Sequence, residues 1–251
     1  NAVANELTPG ILTPVPKAGA GSAITGSVEF DGNGDYLSVD SSVFNPGTGD
    51  FTFEWWQKLA ATDVSYSAVK INSSVGGDGI RNGNSAIQFY VQGSINVAAT
   101  ATLTTTDWEH VAIVRSSGVI SIYQNGVLLS NNLANLNPGN SITASIFEIG
   151  NSWTGSNYAG FLSNFRVVVG TAVYVDDFIP PTRELKKVPG TTLLCCQDEN
   201  SVTTEATGKT ITVNGDPAAS NFTPQVGDDR KVTFEGVTKI NSDAYFYLPT
   251  G

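Results

Sequence analysis

The chain has 251 residues, of which 40% are hydrophobic and only 14% are charged. So low a charged fraction leaves the surface to Ser, Thr, Asn and Gly, a composition typical of β-strands and turns rather than of long solvated helices. The formal net charge of −10 and the lack of any basic run argue against nucleic-acid binding, which needs a cationic face for the phosphates. No stretch approaches the ~20 apolar residues of a membrane span, so membrane insertion is not expected either.

The chain opens with a stretch rich in Pro, Ala and Gly that has no hydrophobic periodicity. This composition predicts an extended arm or linker over residues 1–25. The sequence contains no methionine, even at position 1, so we expect that the chain is proteolytically processed or belongs to a longer polypeptide.

Strands begin directly after this arm. Val28 and Phe30 alternate with polar residues, and the alternation resumes at Tyr36 after the glycine-rich residues 31–35. Glycine and asparagine accept the positive φ angles that tight hairpin turns require. The pattern therefore predicts a β-hairpin over residues 27–39.

Residues 51–59 also alternate, but large aromatic side chains occur on both faces. Phe53 and Trp55 lie on one face of the predicted strand, and Trp56 lies on the other. This pattern predicts a strand that is buried on both sides or that lines a groove.

Further short strands follow, and Asn125 with Gly126 marks a second hairpin. Residues 171–178 suggest a helical turn, and residues 191–196 return as a final strand. Short strands at this spacing, separated by turn residues, predict a sandwich or barrel of antiparallel strands.

The two cysteines, Cys195 and Cys196, are neighbours on this final strand. A disulfide between neighbours would need a strained ring, and secreted proteins stabilised by disulfides have separated cysteines. We expect two reduced thiols that alternate, one facing the core and the other facing out. A metal site at this pair is disfavoured because His110 is the only histidine.

Beyond residue 197 the sequence becomes polar and rich in Thr, Asn and Asp. A hairpin is predicted at residues 210–216, and residues 231–236 echo the pattern of residues 27–32. We interpret residues 198–251 as a small C-terminal β segment. The echo marks either the start of a further module or a chance similarity between two strands.

Five segments carry, in this order, a family resemblance: residues 27–37, 50–56, 108–115, 122–127 and 158–167. The series resembles a laminin-G-like domain of the concanavalin A-like lectin/glucanase superfamily over residues 26–197. Residues 170–182 are similar to the version of this domain in structural proteins of tailed bacteriophages, especially marine cyanophages. The resemblance implies an all-β jelly-roll sandwich of two antiparallel sheets, in which glycans are the usual ligand and calcium is a frequent structural ion.

Because the superfamily includes glucanases, paired carboxylates have to be considered. Retaining hydrolysis needs two carboxylates about 5–5.5 Å apart, which alternate positions on a strand provide. Only Glu29 and Asp31 approach this pattern, and Glu54 has no carboxylate partner on its strand. His110 lies within an alternating strand, where we expect a packed histidine rather than a catalytic base. We therefore predict that the chain is not an enzyme.

Asp31, Asn33 and Asp35 place oxygen donors at alternate positions around two glycines. Hard cations prefer such donors, and Asp31 and Asp35 are the candidate calcium ligands. The alternative is that these side chains only bond the backbone of their own turn, as Asp and Asn commonly do.

Glycan binding requires aromatic rings, on which sugar C–H faces pack, together with amide or carboxylate groups for the hydroxyls. Trp153 is the strongest candidate, because it lies in a polar loop over residues 150–158 where core packing does not explain it. The other candidate ligand-binding residues are Asn151, Asn157, Tyr158, Trp56 and Tyr66. We expect Trp55 and Trp108 to belong to the core.

These observations favour a non-enzymatic structural protein on the surface of a phage virion, which decorates the capsid or forms part of a tail or neck fibre and binds host-surface glycans. Its expected partners are other virion structural proteins and further copies of itself in a homo-oligomer. One alternative is a purely structural cement module, because a fold does not fix a function. Another is a secreted bacterial adhesin or carbohydrate-binding module.

Overall fold

The computed structural model describes residues 22–72, 78–91, 95–132, 141–152 and 157–225. Within these ranges the chain forms fifteen β-strands and one short 3₁₀ turn at Ser41–Val43. The strands are β1 (Ser27–Asp31), β2 (Tyr36–Val39), β3 (Phe51–Leu59), β4 (Tyr66–Lys70), β5 (Gly79–Gly83), β6 (Ala86–Val91), β7 (Ile95–Thr100), β8 (Glu109–Ser116), β9 (Val119–Gln124), β10 (Val127–Asn132), β11 (Phe147–Ile149), β12 (Ala159–Val169), β13 (Thr191–Cys195), β14 (Thr212–Asn214) and β15 (Ala218–Ser220). The described residues contain no helix with the length and apolar character that crossing a bilayer would require.

The strands build two antiparallel sheets. The first sheet has the order β10–β9–β8–β3–β12–β1–β15, and β13 also pairs with β12; the second has the order β14–β2–β11–β4–β5–β6–β7. Aromatic side chains from the two sheets meet between them. Phe53 of β3 stacks on Phe147 of β11 with ring centroids 6.2 Å apart, and it also contacts Phe89 of β6. The predicted jelly-roll sandwich is therefore confirmed.

The predicted hairpin over residues 27–39 is wrong in its pairing. β1 pairs with β12 and β15 in the first sheet, whereas β2 pairs with β11 and β14 in the second. The glycine-rich turn exists, with Gly32 and Gly34 at φ angles of 83° and 87°, but it carries the chain from one sheet to the other. The turn residues predict the local backbone angles but not which strands pair, and the predicted pairing of β1 with β2 was wrong for this reason.

The second predicted hairpin is confirmed, because β9 and β10 pair directly around Asn125 and Gly126. Both turn residues have positive φ angles, 52° and 80°. A Cβ atom at Gly126 would lie only 1.8 Å from the carbonyl oxygen of Phe178, which packs against the turn. Both the backbone angle and the space therefore require glycine here.

We predict that Gly126→Ala lowers the free energy of unfolding by about 3 kcal/mol or more, because backbone strain of about 1–2 kcal/mol is added to a steric clash. Gly170→Ala is the matched control: its φ of 86° is equally positive, but nothing lies within 4 Å of the added Cβ. Gly170→Ala should therefore lower the free energy of unfolding by the backbone strain alone. Urea denaturation compares the two, and equal losses would contradict the steric account.

β3 is buried on both sides, as its two aromatic-bearing faces predicted. Phe53 and Trp55 lie in the core between the sheets, whereas Glu54 and Trp56 lie on the outer face of the first sheet. That outer face is covered by residues 170–190, which connect β12 to β13. We call this stretch the covering segment.

The covering segment contains no helical turn at residues 171–178, so that prediction is wrong. Its backbone donors bond the sheet instead: Val173 N donates to Thr52 Oγ1 at 2.9 Å, and Phe178 N donates to Gly126 O at 2.9 Å. The rings of Tyr174 and Phe178 stack with centroids 3.6 Å apart. The sheet thus supplies the hydrogen bonds that a helix would have supplied.

Both cysteines are buried, at 1% exposure each, and their Sγ atoms lie 3.7 Å apart in a thiol–thiol hydrogen bond, not in a disulfide. The predicted alternation of one thiol in and one out is wrong. β13 ends at Cys195, and Cys196 takes a φ of 60°, which turns the second side chain into the core as well. The neighbouring thiol and burial raise the pKa of Cys195, so this thiol stays protonated at neutral pH.

The predicted hairpin at residues 210–216 is also wrong. β14 pairs with β2 and β15 pairs with β1, so the C-terminal stretch adds one edge strand to each sheet. The sandwich therefore continues to Ser220, past its predicted end at residue 197. Residues 1–21 of the predicted arm, and residues 231–236 with their echo of the first strand, lie outside the described residues.

Candidate functional site

Trp153, the strongest sequence candidate for glycan contact, lies outside the described residues. Tyr158 is fully buried and meets Phe30 edge-on with ring centroids 5.9 Å apart. Tyr66 is 7% exposed and packs on Tyr158, also at 5.9 Å. Neither tyrosine presents a ring face to solvent, so the prediction that they contact a glycan is wrong. Both rings fill the core between the sheets.

The two asparagines of the predicted loop differ in exposure. Asn157 is 8% exposed and forms a backbone bridge with Ser67, so its predicted role as a ligand contact is wrong. Asn151 is half-buried: its Nδ2 donates to Glu148 Oε2 at 2.7 Å, and its Oδ1 accepts from Ser152 N at 2.7 Å. Only Asn151 of this pair keeps partial exposure, and its contact with a glycan stays a prediction.

Trp56 is 5% exposed and packs beneath the covering segment. Its Nε1 donates to Pro181 O at 3.2 Å, and its ring lies 5.2 Å from the His110 ring. Trp56 is therefore no open platform, but its predicted contact with a glycan stays a prediction. Its accessible edge instead lines a cavity that the sequence did not predict.

This cavity, which we call the aromatic cavity, has a volume of about 560 Å³. It lies where the covering segment, the loop before β8 and the residues after β15 come together. Its lining residues are Trp56, Thr106, Asp107, Trp108, Asn125, Ile179, Pro180, Thr182, Phe222, Thr223, Pro224 and Gln225. The volume falls within the roughly 300–1,000 Å³ of small-ligand sites.

Two accessible rings form much of the cavity wall. Trp108 is half-buried and Phe222 is 43% exposed, and their ring centroids lie 5.7 Å apart. Phe161 contacts both rings, at 6.2 Å and 5.0 Å. The expectation that Trp108 belongs to the core is wrong. Strand alternation could have predicted the outer position of Trp108, because side chains two positions apart point to the same face and His110 lies on the outer face. No local pattern indicates Phe222.

Polar side chains complete the wall. Asp107 is exposed, and its Oδ2 accepts from Thr106 Oγ1 at 2.8 Å. Asn125 accepts a backbone N–H of β8 through Oδ1 at 2.9 Å, which leaves its amide hydrogens as donors. Gln225 donates to Thr223 O at 3.3 Å, which leaves its Oε1 as an acceptor. Ring faces beside hydroxyl, amide and carboxylate groups are the combination that sugar binding requires.

A carboxylate cluster lies at the turn between β1 and β2. The predicted calcium ligands Asp31 and Asp35 come together there with Asp216, and their oxygens lie within 4.8 Å of one another. Asp35 is 1% exposed; its Oδ2 accepts from Asp31 N at 3.1 Å and its Oδ1 accepts from Asp216 N at 2.8 Å. The donors fit calcium in chemical type. The two backbone bonds show that Asp35 also fastens the C-terminal stretch to the turn.

We predict that Asp35→Ala lowers the free energy of unfolding by about 2–3 kcal/mol, because hydrogen bonds to a charged acceptor contribute about 1.5–3 kcal/mol. The loss should persist in EDTA, since both bonds lie within the chain. Thermal denaturation with and without added calcium measures it, with Asp216→Ala as the control that removes a carboxylate but keeps both bonds. A loss confined to calcium-containing buffer would instead assign Asp35 to the ion.

A buried charge network lies beneath the covering segment. Glu54 is fully buried; its Oε1 accepts from Arg166 Nε at 2.8 Å and from Arg166 Nη2, and its Oε2 accepts from Tyr174 Oη at 2.7 Å. His110 Nε2 lies 3.4 Å from the same Oε2. Burial alone would raise the pKa of Glu54, but His110, the Arg166 charge and the Tyr174 hydroxyl together lower it. Arg166 Nη1 also donates to Lys186 O, so the network fastens the covering segment to the sheet.

This network also bears on catalysis. Glu54 and His110 are both fully buried, so a polysaccharide cannot reach either side chain. The His110 ring is enclosed by Trp56 and Phe178, at centroid distances of 5.2 Å and 5.6 Å. The packed strand histidine that the sequence predicted is thus confirmed.

Another buried acid, Glu109, lies inside the sandwich at 2% exposure. Its Oε1 accepts from Gln124 Nε2 at 2.9 Å, while its Oε2 has no hydrogen-bond partner among the described residues. Gln57, opposite Glu109 on β3, accepts from Asn82 Nδ2 at 2.6 Å. Burial raises the pKa of Glu109 to about 7, and the polar side chains of Gln57 and Gln124 only partly oppose this rise. The carboxyl group therefore titrates near neutral pH.

Comparison with known proteins agrees with this architecture. The family model Laminin_G_3, described as the concanavalin A-like lectin/glucanases superfamily, matches residues 31–171. A crystal structure of a candidate carbohydrate binding protein from Bacteroides ovatus is similar at 21% identity and a TM-score of 0.57, over 79% of this chain and 60% of that chain. The CBM40 of the Ruminococcus gnavus IT-sialidase, bound to α2,3-sialyllactose, aligns at 12% identity and a TM-score of 0.46, over 61% of this chain and 95% of that chain. None of the curated proteins compared with the chain matches it.

At these identities the structural likeness shows the fold alone, and the chain spans 60% of the length of the Bacteroides ovatus protein. The family match is more extensive, because residues 31–171 make up more than half of the 251 residues. It takes in every strand from β2 to β12, with the pairing and layering described above. The chain therefore belongs to the concanavalin A-like lectin/glucanases superfamily.

Proposed function

We propose that the chain is a non-catalytic glycan-binding module on the surface of a bacteriophage virion, where it decorates the capsid or forms part of a tail or neck fibre. The observation that carries the glycan-binding part is the aromatic cavity. Its wall combines the accessible rings of Trp108 and Phe222 with the polar groups of Asp107 and Asn125. Superfamily membership supports the same assignment, because lectins are among its members.

The non-catalytic part rests on the placement of the acids. Glu54 is enclosed by Arg166 and Tyr174 beneath the covering segment, and Glu109 lies inside the sandwich. Asp107 is the one ionisable side chain among the lining residues of the aromatic cavity. Glycoside hydrolysis usually needs two carboxylates that flank the scissile bond, and this cavity offers one.

The phage part rests on the resemblance of residues 170–182 to the domain found in tailed-phage structural proteins. Those residues belong to the covering segment, which closes the outer face of the sandwich and provides Ile179 and Pro180 to the aromatic cavity. On this proposal the partners are other virion structural proteins and further copies of the chain.

A glycan array tests the proposal directly. We expect the wild-type chain to bind a subset of glycans and to release no reducing sugar from any of them. Trp153→Ala tests the loop that the sequence favoured, and Trp108→Ala tests the aromatic cavity. Absence of binding across the array would overturn the glycan part, and turnover of a polysaccharide would overturn the non-catalytic part.

A purely structural module is the second candidate function, and one observation favours it. Apolar side chains are exposed on and beside the covering segment: Ile179 at 82%, Val175 at 64% and Val127 at 54%. A contiguous apolar patch, unlike single scattered side chains, commonly marks a protein–protein contact. Light scattering coupled to size exclusion would support this candidate if the chain forms a stable oligomer and binds no glycan on the array.

A further inference from the structure

We infer that the aromatic cavity is the glycan-binding site of this chain and that it selects neutral glycans over acidic ones. The inference rests on the proposed glycan-binding function and adds to it a location and a substrate class. Three features of the cavity carry it: a supported pair of rings, a mixed set of hydrogen-bonding groups, and a wall whose one ionisable group is an acid.

The ring pair provides a platform that exists before any ligand arrives. The planes of Trp108 and Phe222 are inclined by 41°, with centroids 5.7 Å apart. Phe161 packs edge-to-face on Phe222 at 5.0 Å, and Lys58 Nζ lies 5.8 Å from the Phe222 centroid. Lys58 Nζ also donates to Thr105 O, which fixes the ammonium group. Rings held in this way lose little conformational freedom when a sugar packs on them, which favours affinity.

Hydrogen-bonding groups of both kinds surround the platform. Asn125 offers amide hydrogens as donors, while Gln225 and Asp107 offer acceptor oxygens. The indole Nε1 of Trp108 is buried and has no acceptor among the described residues. A sugar hydroxyl both donates and accepts, so alternating donors and acceptors beside a ring suit a polyhydroxylated ligand better than a purely apolar one.

Charge then decides the class of glycan. Asp107 is the one ionisable residue of the described lining, and it is exposed. The chain as a whole carries a formal net charge of −10. A carboxylate of a sialic or uronic acid in the cavity would face Asp107, whereas the nearby Lys58 ammonium group packs over the Phe222 ring and donates to Thr105 O without lining the cavity. Like charges a few ångström apart repel each other, and we expect this repulsion to weaken binding of an acidic glycan by about tenfold or more.

The test is a glycan array built from matched pairs that differ only by a terminal sialic acid. It is run at low ionic strength, where surface charges are least screened. The best-bound neutral oligosaccharide and its sialylated partner are then titrated against the full chain by intrinsic tryptophan fluorescence. We expect the neutral member to bind at least about tenfold more tightly.

Four variants locate the site and its selectivity. Trp108→Ala and Phe222→Ala should each weaken binding of the neutral oligosaccharide by about tenfold or more, since stacked rings at binding sites are commonly hot spots. Tyr36→Ala, a partly exposed aromatic residue of β2 that does not line the cavity, is the matched control and should leave affinity unchanged. Asp107→Lys should reduce the preference for the neutral member to less than about threefold, because it reverses the one charge of the wall.

The outcomes separate the inference from the function on which it rests. Equal or stronger binding of the sialylated member overturns the substrate class. Full affinity in both Trp108→Ala and Phe222→Ala overturns the location, and loss of binding only in Trp153→Ala moves the site to the loop; glycan binding survives in either case. Absence of binding to every array member overturns the proposed function and this inference together.

Discussion

Replacement of Glu54 by alanine should lower the free energy of unfolding by about 3–5 kcal/mol, the typical effect of removing one partner from a buried ion pair. The substitution leaves the Arg166 guanidinium and the Tyr174 hydroxyl beneath the covering segment without the carboxylate that both of them bond. Urea denaturation at neutral pH measures the loss. Glycan affinity should fall as well, because the covering segment that this network fastens provides part of the cavity wall.

Glu29→Ala is the matched control for Glu54→Ala. Glu29 is exposed on β1, and surface substitutions of this kind usually change stability by less than about 0.5 kcal/mol. Tyr174→Phe should have an intermediate effect, since it removes one hydrogen bond and keeps the Arg166–Glu54 pair. A Glu54→Ala chain as stable as the Glu29→Ala chain would contradict the role we assign to the network.

Glu109 should make the fold less stable as the pH rises from about 4.5 to 7. Its pKa is about 7 in the folded chain and near 4.5 when exposed, so between these values the folded state holds a proton that the unfolded state has lost. The stabilisation that protonated Glu109 gives the folded state is therefore complete below about pH 4.5 and disappears as the pH passes 7. This difference between the folded and unfolded pKa values corresponds to about 3 kcal/mol in the free energy of unfolding.

Glu109→Gln isolates this effect, because the amide keeps the shape of the side chain and does not titrate. The difference in stability between the variant and the wild-type chain should change by about 3 kcal/mol from pH 4.5 to 8, in favour of the variant at high pH. Asp107 and the hydroxyls of Tyr66 and Tyr158 are the other titratable groups near this end of the core. Glu148→Gln, at a partly exposed position, is the control. Parallel stability curves for the wild-type and Glu109→Gln chains would contradict the account.

The layered fold was predictable because strand periodicity reflects burial. The alternation in residues 51–59 indicated a strand with two buried faces, and β3 has that position in the first sheet. Strand partners were less predictable. The turn residues at 31–35 are correct for their φ angles, yet β1 and β2 pair in different sheets, and the same separation applies to β14 and β15. Pairing depends on contacts distant in sequence, which no local pattern encodes.

The candidate site was harder to predict than the fold. A polar environment suggested that Tyr158 is accessible, but the chain returns into the core there and buries the ring against Phe30. The aromatic cavity joins Trp108 to Phe222, which is 114 positions further along the chain, and closes with Pro180 from the covering segment. Only the folded arrangement brings these three residues together. Alternation places Trp108 on the outer face, but it does not indicate what lies beside it.

The most direct measurement of the central claim is an NMR titration that follows the indole N–H resonances of the four tryptophans. With a neutral oligosaccharide that the chain binds on the array, we predict a dose-dependent shift of the Trp108 resonance. Trp55, fully buried in the core with its Nε1 bonded to Gln57, should not move. A shift confined to Trp153, or no shift for any tryptophan at saturating sugar, would contradict the account.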